Sequence, residues 1–312
     1  MIRWQQFAQL LVFIILVILT WNVPNHPLVK DVSYMTVSKP NDLLYKEIKA
    51  KAKQYEEEPE NAYIDDVWKK TPGRNGLKVN LNESYKKMLK TGEFNESYLV
   101  FEEVPPKKSL EDIGASPIYR GHPKKNMVSL LINVSWGAEH IPKILDILKK
   151  NHVKATFFIE GKWAKEHVEY VQMIDEQGHT IGNHAYDHPD MARMSKQEIE
   201  YQIIQTNEIL RTITEKKTKW FAPPSGSYSN LVVRAAHQLN METILWTVDT
   251  IDWKKPSVSV MLNRVMNHIH PGATVLMHPT PVIEKGLEQL IDAIKREGYK
   301  IGSIDELLSE KR

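Results

Sequence analysis

From Met127 onward, short apolar runs and amphipathic stretches alternate without a break, and this alternation restricts the fold more than any other feature of the chain. The runs VSLLINV, ATFFIE, HTIGNH, KWFAPP, ETILWTV, TVLMH and IGSI have the length and the β-branched, aromatic content of buried strands. Helix patterns with recognisable ends lie between them. Ile141, Ile144, Leu145 and Leu148 follow the i, i+3, i+4, i+7 spacing, and Pro142 is tolerated in the first turn. Ser195-Lys196-Gln197-Glu198 is a capping box that opens a helix with Ile199, Ile203, Leu210 and Ile213 inward. Ile283, Leu287, Leu290, Ile291 and Ile294 form the last stripe, ended by Gly298. Seven strands separated by six helices predict an α/β fold with parallel strands and right-handed crossovers. A β/α barrel would gather chemistry at the C-terminal ends of those strands. The alternative is a doubly wound open sheet, disfavoured because neither GxGxxG nor GxxxxGK[ST] occurs.

Composition removes several function classes. With 41 basic against 39 acidic residues there is no basic stripe for nucleic acid. With no cysteine, any metal must rest on histidine and carboxylate ligands.

The segment ahead of the strands divides by pattern. Residues 1–22 predict a signal-anchor. An apolar run from Phe7 to Trp21 follows Arg3, Trp4 and Trp21 bracket it, and a helix between them would span about 27 Å. The rival is a cleaved signal peptide, which would leave the protein secreted; no small-x-small site follows the run. The flanking positive charge places the remaining chain on the extracytoplasmic, cell-wall side. Residues 23–40 read as a stalk. Residues 41–118 predict a small α+β domain: a helix over 41–58, the turn Pro72-Gly73-Arg74-Asn75-Gly76, a helix near Glu83 to Leu89, and a strand from Tyr98 to Val104. This domain resembles modules that precede exported cell-wall proteins and bind peptidoglycan; a spacer packed on the next domain is the alternative.

The chemistry-bearing residues cluster where strands end. His184 and His188, four residues apart between a strand and Pro189, can meet one ion. The order LLINVSWG, ATFFIEG, GHTIGNHAYDHPDM, FAPPSG, ILWTVDTIDW and VLMHP, over residues 125–308, resembles the successive motifs of the polysaccharide deacetylase family, carbohydrate esterase family four, with its NodB-type domain. More narrowly, the whole chain resembles a sporulation-associated branch of that family. The resemblance implies an irregular (β/α)7 barrel over 125–312 and hydrolysis of the N-acetyl amide of a GlcNAc- or MurNAc-containing glycan such as peptidoglycan. It also implies a divalent metal, usually zinc, on one Asp and two His. A second Asp acts as base, an Arg pairs with that base, and a His oriented by an Asp protonates the leaving amine.

Carried over residue by residue, His184 and His188 match the metal histidines and His278 the general acid. Asp252, or else Asp249, matches its orienting carboxylate. Trp253 and Leu276 match the apolar wall around the acetyl methyl, and Trp136 stands beside them as a further substrate contact. The departures are sharp. Asn133-Val134-Ser135-Trp136-Gly137 occupies the TFDDG position, so Ser135 stands at the base and Trp136 at the metal carboxylate. In FAPPSG, Ala222 stands at the Arg and Ser225 where a Tyr is usual. A guanidinium left buried without its acid costs about 3–5 kcal/mol, so base and Arg are expected to vanish together.

Two readings follow, a glycan binder with a weak or empty metal site, and a rearranged hydrolase in which Glu139, Asp187 or Asn183 supplies the missing ligand. A third, a structural anchor protein, requires that Trp136 fill the cleft. Among the remaining residues, His179 reads as structural and Glu139 as a helix-dipole residue beside His140. Trp163, Trp220 and Trp246 read as core, Asp249 as either a loop brace or a substrate contact, and Lys216, Lys217 and Lys219 as a solvated loop.

Overall fold

The structure, a computed structural model, describes Trp4 and residues 43–312, so apart from Trp4 the expected anchor and stalk lie outside the described residues. Among the described residues no helix is long and apolar enough to cross a membrane.

Helix α1 (Leu43–Ala52) leads into a hairpin of β1 (Tyr63–Asp65) and β2 (Lys69–Thr71). Strand β3 (Gly76–Val79) pairs antiparallel with β4 (Phe101–Val104), and helix α2 (Leu81–Met88) lies between them in sequence. Leu44, Ile48, Val79, Tyr85 and Met88 bury a small core of their own. The strand expected from Tyr98 starts only at Phe101, because Asn95 caps a 3₁₀ turn over Glu96–Tyr98. Ala62 and Leu110 pack instead with residues of the following sheet. Lys70 is fully buried on that seam, with Nζ 2.8 Å from Glu242 Oε1 and 3.2 Å from the Ile113 carbonyl.

Eight parallel strands follow: β5 (Met127–Val134), β6 (Thr156–Ile159), β7 (Thr180–Asn183), β8 (Trp220–Phe221), β9 (Glu242–Thr243), β10 (Val248–Asp249), β11 (Thr274–Met277) and β12 (Lys300–Gly302). Their order is β10-β11-β5-β6-β7-β8-β9, with β12 also on β5, a half-barrel open between β9 and β10. The run ETILWTV, expected as one strand, is therefore two. Ile118 enters the seam, donating its N–H to the Thr243 carbonyl and accepting from Leu245 N–H. Thr247 N–H then turns to the Thr274 carbonyl, so the chain leaves one ladder and joins the other.

Helices cover the outer face: α3 (Ile141–Lys150), α4 (Gly161–Glu166), α5 (Val168–Glu176), α6 (Lys196–Thr214), α7 (Asn230–Gln238), α8 (Val258–Met266) and α9 (Pro281–Arg296). The capping box is formed as expected, with the Ser195 hydroxyl accepting from Glu198 N–H and the Glu198 carboxylate from Ser195 N–H. Alternation along β5 sends Val128, Leu130, Ile132 and Val134 toward these helices and Leu131 inward. Strands covered on both faces read as continuous apolar runs, which is why the sequence pattern was so regular. Inside, Phe158 lies against Gly182, where a Cβ would come within 2.5 Å of the ring. The last helix, α10 (Ile304–Leu308), inserts Ile304, Leu307 and Leu308 among Leu131, Phe158 and Trp220. With that end plugged, the inward-facing residues reach a cleft at the C-terminal ends of the strands.

Candidate functional site

Strand register decides which side chains meet. Val134 lies opposite Ile159, Ile159 opposite Asn183, and Asn183 opposite Phe221. One residue beyond each of these positions, Ser135, Glu160, His184 and Ala222 form a single inward-facing layer. Met277 lies opposite Ile132, which brings His278 level with Asn133 one layer lower. The cleft above has a volume of about 400 Å³ and is lined by Asn133, Ser135, Trp136, His184, His188, Ser225, Trp246, Asp249, Trp253, Leu276 and His278.

His184 is buried, and its Nδ1–H donates to the Ala222 carbonyl at 2.7 Å, leaving Nε2 free. Burial, reinforced by His188, holds its pKa down to about 3, so the ring is neutral. His188 lies edge-on to it with ring centroids 5.3 Å apart. The loop between them turns through left-handed backbone at Ala185 (φ 61°) and His188 (φ 59°). The spacing in sequence thus does bring the two rings together.

Asp252 is fully buried and oriented from every side. Its carboxylate accepts from Thr250 Oγ1 (3.0 Å), Thr280 Oγ1 (2.9 Å), His278 N–H (3.0 Å) and His278 Nδ1–H (3.0 Å). Asp252, not Asp249, is therefore the partner of His278. Asp249 accepts from Ile251 N–H at 2.8 Å, and burial raises its pKa. Ile251 pays for this turn with a left-handed conformation (φ 51°), unusual for a β-branched residue. Trp136 stacks on His278 with ring centroids 5.8 Å apart and planes 12° from parallel. Gly137 permits that approach: it has φ +76°, and a Cβ there would lie 2.1 Å from the Pro279 carbonyl oxygen. Trp136 is 45% exposed and Trp253 51% exposed, so the indoles stand open at the cleft and Trp136 does not fill it.

The donor set does not fit a hydrolytic metal of the family type. Such zinc sites use three protein ligands and keep an open position. Here the third place belongs to an indole, and among the described residues no three His, Asp or Glu side chains gather to hold an ion. The substitutes suggested by sequence are turned elsewhere. Asn183 faces outward, bonding the Ile203 carbonyl and Asn207. Asp187 accepts from Gln202 Nε2, and exposed Glu139 lies by His140, which itself bonds Glu284.

Other expectations are met or corrected individually. His179 is structural, with Nδ1 accepting from Ala155 N–H. Trp163 and Trp220 are core, and Trp246 packs against the core while also lining the cleft. Lys216 and Lys219 pair with Asp175 and Glu111. Glu160 was missed. It is buried beside Ser135, and burial raises its pKa against the opposing pull of the Ser135 hydroxyl. Inward alternation along ATFFIE was the available signal, since it puts Phe158 and Glu160 on one face.

A parallel half-barrel that gathers a histidine pair and a buried Asp–His pair in one cleft defines a scaffold of the metal-dependent amide hydrolase type. The family model for polysaccharide deacetylase matches residues 120–244. The chain belongs to the polysaccharide deacetylase family. It is 46% identical to the uncharacterized protein YlxY of Bacillus subtilis, over 99% of each chain. It is 32% identical to the peptidoglycan-N-acetylmuramic acid deacetylase PdaA of Bacillus subtilis, over 62% of this chain and 75% of that one. Among solved structures, BA3943 of Bacillus anthracis, a pseudoenzyme of carbohydrate esterase family four, aligns with TM-score 0.82 and 52% identity over 86% of this chain and 96% of that one. A mutant of BA3943 with restored enzymatic activity aligns with the same TM-score, 51% identical over 86% of this chain and 99% of that one.

Proposed function

We propose that this protein is an exported, membrane-anchored and sporulation-related glycan binder. In this reading it is directed at N-acetylated glycan of the peptidoglycan type and does not turn over the acetamide. The half-barrel is read as the family's irregular (β/α)7 barrel, and residues 41–118 as a spacer locked on it by Lys70 and Glu242. One observation carries the reading. In the layer Ser135, Glu160, His184, Ala222, a hydroxyl and a methyl replace an acid and its guanidinium, yet the cleft stays open between two exposed indoles. Indoles on a concave surface offer large apolar faces to the C–H faces of sugar rings at little entropic cost. Left-handed backbone at Ala185, His188, Ser225 and Ile251 costs about 1–3 kcal/mol per residue, so the loops hold a shape that still serves a ligand.

The test is co-sedimentation of the full chain, in detergent micelles, with insoluble peptidoglycan. The parent is expected in the pellet, and Trp253→Ala to weaken retention at least about fivefold. A parent chain that stays in the supernatant, or that releases acetate from the pellet, contradicts the reading.

A further inference from the structure

The floor of the cleft carries two polar atoms that the protein leaves without hydrogen bonds of good geometry, Asn133 Oδ1 and Ser135 Oγ. Asn133 is only 4% exposed and lines the cleft. A buried carboxamide oxygen without a partner is costly, and most such groups in folded proteins are paired. Asn133 lies on the inward face of β5, at the first position of the motif whose acids are missing. Leu276, 3% exposed, supplies an apolar wall on the neighbouring strand β11, and Trp246 lines the same cleft. A carboxamide presents one donor side and one acceptor side whichever way its amide is turned, and an acetamido group is its complement.

Resting on the glycan-binding reading, we infer that Asn133 reads the intact acetamido group of an N-acetylhexosamine, making the cleft selective for N-acetylated over de-N-acetylated sugar. The acetyl methyl would lie against Leu276, with Ser135 Oγ above as a second hydrogen-bonding group. The charges around the cleft are compatible with a neutral ligand. The Asp252 carboxylate is occupied by Thr250, Thr280 and His278. Asp249, the carboxylate that lines the cleft, has one oxygen engaged by Ile251 N–H. Glu160 is buried beside Ser135, where burial disfavours its charged form, and it does not line the cleft; a free amine would leave Asn133 unmatched. A site built to hydrogen-bond a group rejects the analogue lacking that group, because its own buried polar atom then stays unpaired.

Isothermal titration of the full chain in detergent micelles, at pH 7 and 150 mM salt, with chitotetraose and with its fully deacetylated counterpart tests this. The acetylated oligomer is expected to bind about tenfold more tightly. Asn133→Leu should erase that preference by weakening the acetylated oligomer alone. Asn133→Asp, which keeps the volume and adds a charge, should shift preference to the amine. Trp253→Ala should weaken both oligomers alike. A preference unchanged in Asn133→Leu and Asn133→Asp, or tighter binding of the deacetylated oligomer by the parent, overturns the role of Asn133 while leaving glycan binding intact. Binding of neither oligomer by the parent overturns the glycan reading as well.

Discussion

Changing Ser135 to Asp, Trp136 to Asp and Ala222 to Arg together should give a zinc-dependent enzyme that releases acetate from N-acetylated oligosaccharide at least about 10²-fold faster than the parent. The rest of the catalytic layout implied by the family resemblance is already in place. His184 is held in the tautomer that leaves Nε2 free, His188 lies edge-on to it, and His278 is oriented by a saturated Asp252. The three changes are interdependent. Ala222 is buried, so Ala222→Arg alone would bury an unpaired guanidinium and cost about 3–5 kcal/mol, whereas the triple variant supplies its carboxylate partner. Glu160 adds a check on the geometry. It lies next to Ser135 in the layer, so it would raise the pKa of a carboxylate placed there, and Glu160→Gln in the triple background should move the rising limb of the pH–rate profile to lower pH. Acetate release by the triple variant with and without zinc, beside the three single changes, measures the interdependence.

Lys70→Ala should lower the unfolding free energy by about 3–5 kcal/mol in urea titration. Lys70 Nζ is buried against Glu242 Oε1 at 2.8 Å, and His237 Nδ1 stands 3.3 Å from the same oxygen. Removing the ammonium leaves a nearly buried carboxylate at the edge strand β9, beside Ile118, which bonds Thr243 and Leu245. Replacing both partners, Lys70→Met with Glu242→Leu, should restore most of the loss, because well-packed apolar residues avoid the desolvation that an ion pair must offset. A loss below about 1 kcal/mol in Lys70→Ala would mean that the seam behaves as a solvated surface pair.

Much of the architecture was legible because strands buried on both faces leave unbroken apolar runs, and helices between them leave stripes and caps such as Ser195 with Glu198. The split of ETILWTV was not legible. It depends on Ile118, far away in sequence, entering the gap between two sheet edges, and a local pattern carries no record of which ladder a residue joins. The cleft divides the same way. His184, His188, Asp252 and His278 stand out by residue type and spacing, and the structure brings them to one cleft. Asn133 and Glu160 do not stand out, since each sits at the end of an apolar run where register alone decides whether it points inward. A tryptophan inside an apolar run such as ILWTV reads as core, and Trp246 does pack on it; because the chain is changing ladders at that point, the indole also borders the cleft. Asp187 and Asn183 are near the histidines in sequence, but Gln202, Ile203 and Asn207 of α6 hold them away, and Glu139, close to Trp136 in sequence, is exposed beside His140.

In the glycan-binder reading, a hydroxyl and an indole in place of two acids abolish turnover while leaving the cleft intact. The most direct measurement is acetate release by the unmodified full chain from chitotetraose and from peptidoglycan, after dialysis against zinc, cobalt or nickel, with bound metal quantified in the same samples. The expected result is no acetate above buffer with any ion and no stoichiometric metal. Metal-dependent acetate release that disappears in His184→Ala would contradict it.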